Sequence, residues 1–112
     1  MSEFVEMHWT TGSIEEARKV CRYLVQNRLA ACAQILPWLE SIYMWDNRLE
    51  TTQESKVFIK TRRDRVQEII KTIKDNTTYE VPEILVFDIK DGNSDYLEWM
   101  KQSTPEDLAL NR

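Results

Sequence analysis

Few residues in this chain carry much chemistry. Cys32 stands inside Ala-Ala-Cys-Ala, between small neighbours that let two backbones approach closely. As a thiolate it would be a soft ligand for copper. As a buried thiol it would be a small hydrophobe, and the local pattern alone favours that role. Tyr79, Pro82 and Glu83 form a second group. Pro82 fixes the backbone where a strand begins. Glu83 offers a carboxylate to a cation, or to Lys60 as an ion pair. Lys60 can hold a small anion or neutralise Glu83. Trp45, Tyr96 and Trp99 can wall a pocket around these groups, although aromatic residues more often serve as core or interface packing. A mostly apolar pocket with a few convergent polar groups suits a small ligand. His8, the only histidine, has no nucleophile beside it in sequence, so no Ser/His/Asp set is visible.

These residues must be positioned by a small number of elements. Val5, Met7 and Trp9 alternate with Glu6 and His8, so residues 3–11 read as a strand. Ser13 with Glu16 three positions on is a capping box. Ile14, Ala17, Cys21 and Leu24 then share one helical face, ending near Arg28. A return strand over 49–61 puts Val57, Ile59 and Thr61 on one face and Lys56, Phe58 and Lys60 on the other. Val66, Ile69, Ile70 and Ile73 mark a second helix after Asp64. Residues 79–89 read as a strand, apolar on both faces from Ile84 to Phe87, as in a strand covered on both sides. A last helix after Asp91-Gly92-Asn93-Ser94 carries Tyr96, Leu97, Trp99 and Met100.

Between the first helix and the return strand lies the feature that governs the rest. Residues 29–45 read as one strand with a single charge, Glu40, and with Asp46-Asn47 behind it as a turn. Seventeen extended residues span roughly 55 Å. A domain of this size is only about 35 Å across. Such a strand bends or projects, and its apolar surface then needs another chain to cover it. Pro37 cannot donate to a ladder, so it marks a bulge, bend or edge position.

The whole order is β-α-β-β-α-β plus a helix. That is an α+β, ferredoxin-like sandwich with a C-terminal helix and a long hairpin between its second and third strands. At 112 residues the chain suits a single domain spanning 1–112. The balance of 30% charged and 42% hydrophobic residues is that of a soluble folded protein. A net charge of −4 argues against a nucleic-acid binder. No apolar run approaches membrane-spanning length. With no secretory signal at the start, Cys21 and Cys32 read as free thiols, and the expected location is cytoplasmic.

At this point four motifs stand in order: Arg28-Leu-Ala-Ala-Cys-Ala, Ser41-Ile-Tyr-Met-Trp, Tyr79-Glu-Val-Pro-Glu-Ile-Leu and Gly92-Asn-Ser-Asp-Tyr-Leu-Glu-Trp. Together they resemble the CutA family, the divalent-cation tolerance proteins, from about Glu3 to Met100. The resemblance implies a homotrimer in which long hairpins reach across to neighbouring subunits. It implies kinship with PII-like signalling proteins that bind small ligands between subunits. It also implies a link to copper and other divalent metals, and in animal members to acetylcholinesterase anchoring. In relatives the cysteine matching Cys32 lines an intersubunit cleft. Copper-binding relatives add a cysteine and a histidine at positions that are Trp9 and Thr77 here, and neither can serve as a comparable ligand. His8, one residue from Trp9, points to the opposite strand face. Cys32 and Glu83 therefore remain as the metal candidates.

The leading expectation is a trimeric, non-enzymatic CutA-like protein of the metal-ion response. Copper or another divalent cation, or a small anionic ligand, would sit in a cleft formed by Cys32, Trp45, Lys60, Tyr79, Glu83, Tyr96 and Trp99. A PII-like sensor without metal, and a scaffold trimer, are the alternatives. An acylphosphatase-like enzyme would need an Arg and an Asn after the first strand, where Thr10-Thr11-Gly12-Ser13 stands. An RNA-binding module of this fold would need aromatics on a basic face.

Overall fold

The computed structural model describes residues 2–106. Its elements are β1 (Phe4–Thr11), α1 (Ile14–Gln26), β2 (Cys32–Trp45), β3 (Arg48–Arg62), α2 (Val66–Asn76), β4 (Glu83–Asp88) and α3 (Ser94–Ser103). The strands form one antiparallel sheet in the order β2-β3-β1-β4. This is the α+β, ferredoxin-like order expected from the sequence, with the added helix.

Strand alternation makes the sheet two-sided. Val5, Met7 and Trp9 pair with Thr61, Ile59 and Val57, and all six are fully buried. Ala17, Val20, Cys21 and Leu24 of α1 and Val66, Ile69 and Ile73 of α2 join that core. The opposite, open face carries Glu6, His8 and Thr10 from β1 and Lys56, Phe58 and Lys60 from β3.

Helix α1 starts as its cap predicts. The Ser13 hydroxyl accepts from the Glu16 N–H at 3.2 Å. The reciprocal half of the capping box is missing. The Ser13 N–H donates instead to the Thr11 hydroxyl at 3.2 Å, and the Glu16 carboxylate reaches away to Thr11 and Thr78.

Strand β2 begins at Cys32, not at Leu29 as the apolar run suggests. Arg28 is left-handed, with φ 59°. The Leu29 and Ala30 N–H groups then fold back to the Leu24 carbonyl, at 2.9 and 3.1 Å. Satisfying the helix end in this way is worth more to that backbone than extension. Leu29 and Ala30 become core instead. Fourteen residues at about 3.3 Å each still give roughly 46 Å. The molecule's long axis is 46 Å, against 29 and 22 Å for the others.

Two local devices shape the hairpin. Asp46 and Asn47 at its tip have φ values of 51° and 63°, the paired left-handed residues of a type I′ turn. Lower down, Leu36 faces Lys56 and Leu39 faces Glu54, so β2 holds one extra residue there. Of the bulge, bend or edge position that Pro37 marks, this is the bulge, with Trp38 left-handed at φ 62°, and β2 is also an edge strand. The insertion exchanges the strand's faces. Beyond it Ser41, Tyr43 and Trp45 share a face with Glu50, Thr52 and Glu54, while Ile42 and Met44 join Leu49 on the other.

Two expectations for residues 79–89 need correction. Only 83–88 is strand, because Tyr79 to Pro82 form a loop folded back on β1 and β3. β4 is also a sheet edge, and Leu85 and Phe87 are 49% and 46% exposed rather than covered. After α3, the Arg65 guanidinium donates to the Pro105 carbonyl, and Arg62 pairs with Glu106 at 3.3 Å. Among the described residues no helix is long and apolar enough to cross a membrane.

Candidate functional site

The residues singled out by sequence fall into two groups at opposite ends of the sheet. The first lies in the crook between the hairpin arm and the body, around a cleft of about 680 Å³. Ser41, Tyr43, Trp45, Glu50 and Glu54 face it from the arm, with Ile42 at its margin, the Thr78–Val81 loop forms the opposite wall, and Thr10 and Glu83 complete the lining. Of the expected set it therefore contains Trp45, Tyr79 and Glu83.

A buried carboxylate organises this cleft. Glu54 is only 6% exposed and accepts from the Tyr79 hydroxyl at 2.5 Å. Loss of solvent raises the Tyr79 pKa, and the Glu54 hydrogen bond and charge raise it further. The ring reaches Glu54 because residue 12 is glycine. A Cβ there would stand 2.7 Å from the Tyr79 hydroxyl oxygen. Glu16 pins the same loop from its other side, accepting from the Thr78 N–H at 2.8 Å and the Thr77 hydroxyl at 3.5 Å. Thr77 in turn accepts from the Tyr79 N–H at 3.3 Å. Thr77 thus serves as a loop staple.

Glu83 accepts from the Thr10 hydroxyl at 3.1 Å and pairs with Lys56 at 3.3 Å. Its cationic neighbour is Lys56 and not Lys60, because Thr10 faces Lys56 on one side and Glu83 on the other. Lys60, four residues farther along β3, donates to the Gln34 side chain at 2.5 Å and lies 3.7 Å from Glu6. Carboxylates of Glu50, Glu54, Glu80 and Glu83 line the cleft, so its field favours cations over anions.

The second group surrounds Cys32 at the hairpin's root. Cys32 stands opposite Lys60, with the Tyr96 side chain near it. Burial first, and Cys32 second, push the Tyr96 pKa up. Tyr96 and Trp99 stack with ring centres 5.2 Å apart. Cys21, inside the core, has its thiol pushed up to about 12, by burial first and Cys32 second. It is therefore an inert thiol at neutral pH.

Cys32 and Glu83 do not meet within one chain. β3 and β1 lie between their strands, which puts them roughly 14 Å apart across the sheet and about 13 Å along it. Among the described residues no group of three His, Cys, Asp or Glu side chains could hold a metal ion. Trp9 is fully buried in the core.

Sequence reasoning missed Glu54, Glu16 and Gly12. Glu54 sits in Gln-Glu-Ser-Lys, which reads as a solvated run. Alternation along β3 puts it on the face of Lys56, and only the distant Tyr79 closes over it there. Glu16 reads as a capping residue, and Gly12 as a turn. Their partners are 25 to 67 positions away, beyond any local pattern.

The comparisons with known proteins agree with this architecture. The family model described as CutA1 divalent ion tolerance protein matches residues 5–103. Divalent-cation tolerance protein CutA of Thermus thermophilus is 38% identical, over 85% of this chain and 92% of that protein. Protein CutA 1, chloroplastic, of Oryza sativa is 35% identical over 91% of this chain. The chain spans 58% of that rice relative and 55% of the Arabidopsis thaliana one. Among solved structures, CutA1 from Oryza sativa superposes with a TM-score of 0.89 at 34% identity, covering 94% of this chain and 96% of that one. CutA1 from the psychrotrophic bacterium Shewanella sp. SIB1 gives 0.90 at 32% identity, covering 94% and 98%.

Proposed function

Because this chain belongs to the CutA1 divalent ion tolerance family, we propose that it is a non-catalytic, homotrimeric binding protein serving tolerance of divalent cations. One observation carries the assembly. Ile42, Met44 and Leu49 on the outer face of the arm are 64%, 62% and 70% exposed. An apolar, projecting two-stranded ribbon is marginal alone and is covered most simply by further copies of the same chain. The open face adds Leu85 and Phe87 to the surface that assembly would bury. Sedimentation velocity at micromolar concentration should give three chains; a clean monomer would refute the reading.

The ligand proposed is a divalent cation, copper included, taken up where copies meet. Among the described residues one chain supplies no three-ligand set, so ligands from more than one copy, Cys32 and Glu83 among them, would be needed. The four cleft carboxylates support a cation over a small anion. In titration calorimetry with Cu(II), Cys32→Ala should abolish uptake by the trimer, and unchanged uptake would remove Cys32 from the site. The cleft's aromatic wall, Tyr43 and Trp45, also favours a second reading, a PII-like sensor of a small organic ligand. Cation-independent thermal stabilisation by such a ligand would support it. We place the protein in the cytoplasm, where Cys21 and Cys32 would stay reduced as the free thiols they are.

A further inference from the structure

The cleft between arm and body holds a carboxylate that nothing on this chain neutralises. Glu54 is buried and takes one hydrogen bond, from the Tyr79 hydroxyl at 2.5 Å. Among the described residues no cation pairs with it and no second donor reaches it. A buried carboxylate so placed is costly until a charged donor meets it. We propose that the cleft binds a linear polyamine, an alkyl chain carrying two or more ammonium groups, with Glu54 as its anchor. The inference rests on the second reading proposed above, a sensor of a small organic ligand, and gives that ligand a chemical class.

Charge, spacing and wall each favour this class. Among the described residues no lysine, arginine or histidine lines the cleft. Lys56 reaches in to match Glu83 at 3.3 Å. Arg48 stands opposite Trp45 at the arm's tip. With both counted, the carboxylates of Glu50, Glu54, Glu80 and Glu83 still leave two negative charges over. These charges are spread, not gathered. Glu50 and Glu54 lie four residues apart on β3, which is about 13 Å. Among the described residues no three acidic side chains converge as a metal site would need. An extended cation spans such a distance, and a single metal ion does not. Between its ammonium groups a polyamine presents methylenes, which suit the rings of Tyr43 and Trp45. The ammonium groups are themselves drawn to the ring faces. The Tyr43 and Thr52 hydroxyls share a hydrogen bond at 3.0 Å, so that wall is set before a ligand enters. A quaternary ammonium would satisfy the rings but has no N–H to offer Glu54. The space of about 680 Å³ is that of a small-ligand pocket.

Calorimetric titration of the protein with butylamine, putrescine and spermidine tests the proposal. Binding should tighten along that series as ammonium groups are added. Glu54→Gln keeps an oxygen for Tyr79 and should weaken spermidine binding about tenfold or more. Glu50→Gln, on the arm, should weaken it about two- to fivefold, and decides the matter if Glu54→Gln folds poorly. Glu98→Gln, on α3 outside the cleft, should leave binding unchanged. Equal weakening by Glu98→Gln would mean attraction to the acidic chain as a whole and overturns the site. Spermidine binding no tighter than butylamine overturns it too. So does the absence of any spermidine heat, the result if a side chain of a second copy fills the cleft. Thermal shifts with a panel of neutral and anionic organic compounds separate this inference from the reading beneath it. Stabilisation by one of those compounds, with none by spermidine, overturns the polyamine and keeps the sensor. No stabilisation by any compound, spermidine included, overturns both.

Discussion

The root and the outer arm of the β2–β3 hairpin are one continuous ribbon in two environments. At the root, Val57 and Ile59 are fully buried beneath α1 and α2. Beyond the bulge, Ile42, Met44 and Leu49 stand more than half exposed. Both halves carry apolar side chains on one face. What differs is whether this chain brings anything to cover them. The radius of gyration of 14.9 Å, against about 13 Å for a compact chain of this length, reflects the same division. The root folds the protein, and the arm is built to be completed by something else.

The strongest way to break that contrast is to truncate each half. Ile59→Ala should cost about 2–5 kcal/mol in denaturant unfolding, since it opens a cavity in a closed core. Ile42→Asp combined with Leu49→Asp should leave the circular dichroism spectrum of a folded chain while abolishing assembly in sedimentation. If the arm variant unfolds as badly as the core variant, the arm is part of the folding unit and the division is wrong.

A finer test lies where the two halves meet. Glu54 is the last arm residue before the bulge, buried and held by the Tyr79 hydroxyl. Tyr79→Phe leaves that carboxylate without its donor, which should cost about 1–3 kcal/mol. The pH dependence has a defined sign. Tyr79 is raised in the folded state, so its contribution is fully present below the ordinary tyrosine range near pH 10 and fades as pH climbs above it. The unaltered protein should lose stability in that alkaline window, and Tyr79→Phe should lose less. Parallel alkaline limbs for both proteins would mean that the hydrogen bond does not hold the loop.

Much of this could be read from residue pattern. The alternation of Val5, Met7 and Trp9 and the spacing of Val66, Ile69 and Ile73 report burial on one face, which is what periodicity measures. Pro37, through the donor it lacks, narrows its place to a bulge, bend or edge position, and the structure shows a bulge on an edge strand. The start of β2 is not legible, because an apolar run does not distinguish a strand from a buried helix cap, and Arg28 decides between them by going left-handed. The site was less legible. Trp45, Tyr79 and Glu83 do share a cleft, but Cys32, Lys60, Tyr96 and Trp99 gather at the other end of the sheet. Sheet register decides that grouping, and one inserted residue at Trp38 changes which side chains share a face.

The smallest expected effect tests whether the arm's supporting wall is anchored from the body. Ser13 caps α1 through one hydrogen bond to the Glu16 N–H, while the Glu16 side chain leaves the cap to hold Thr78. Cap and staple are thus separate functions of adjoining groups. Ser13→Ala should cost about 1 kcal/mol, the usual worth of a cap, and should leave Tyr79 on Glu54. Glu16→Gln keeps the cap's backbone donor but weakens the staple, because a neutral oxygen accepts less strongly than a carboxylate. It should therefore change the alkaline limb that reports Tyr79, with a loss of global stability no larger than that of Ser13→Ala. If Ser13→Ala disturbs the alkaline limb and Glu16→Gln does not, the loop is positioned by the helix start as a whole and not by the Glu16 carboxylate.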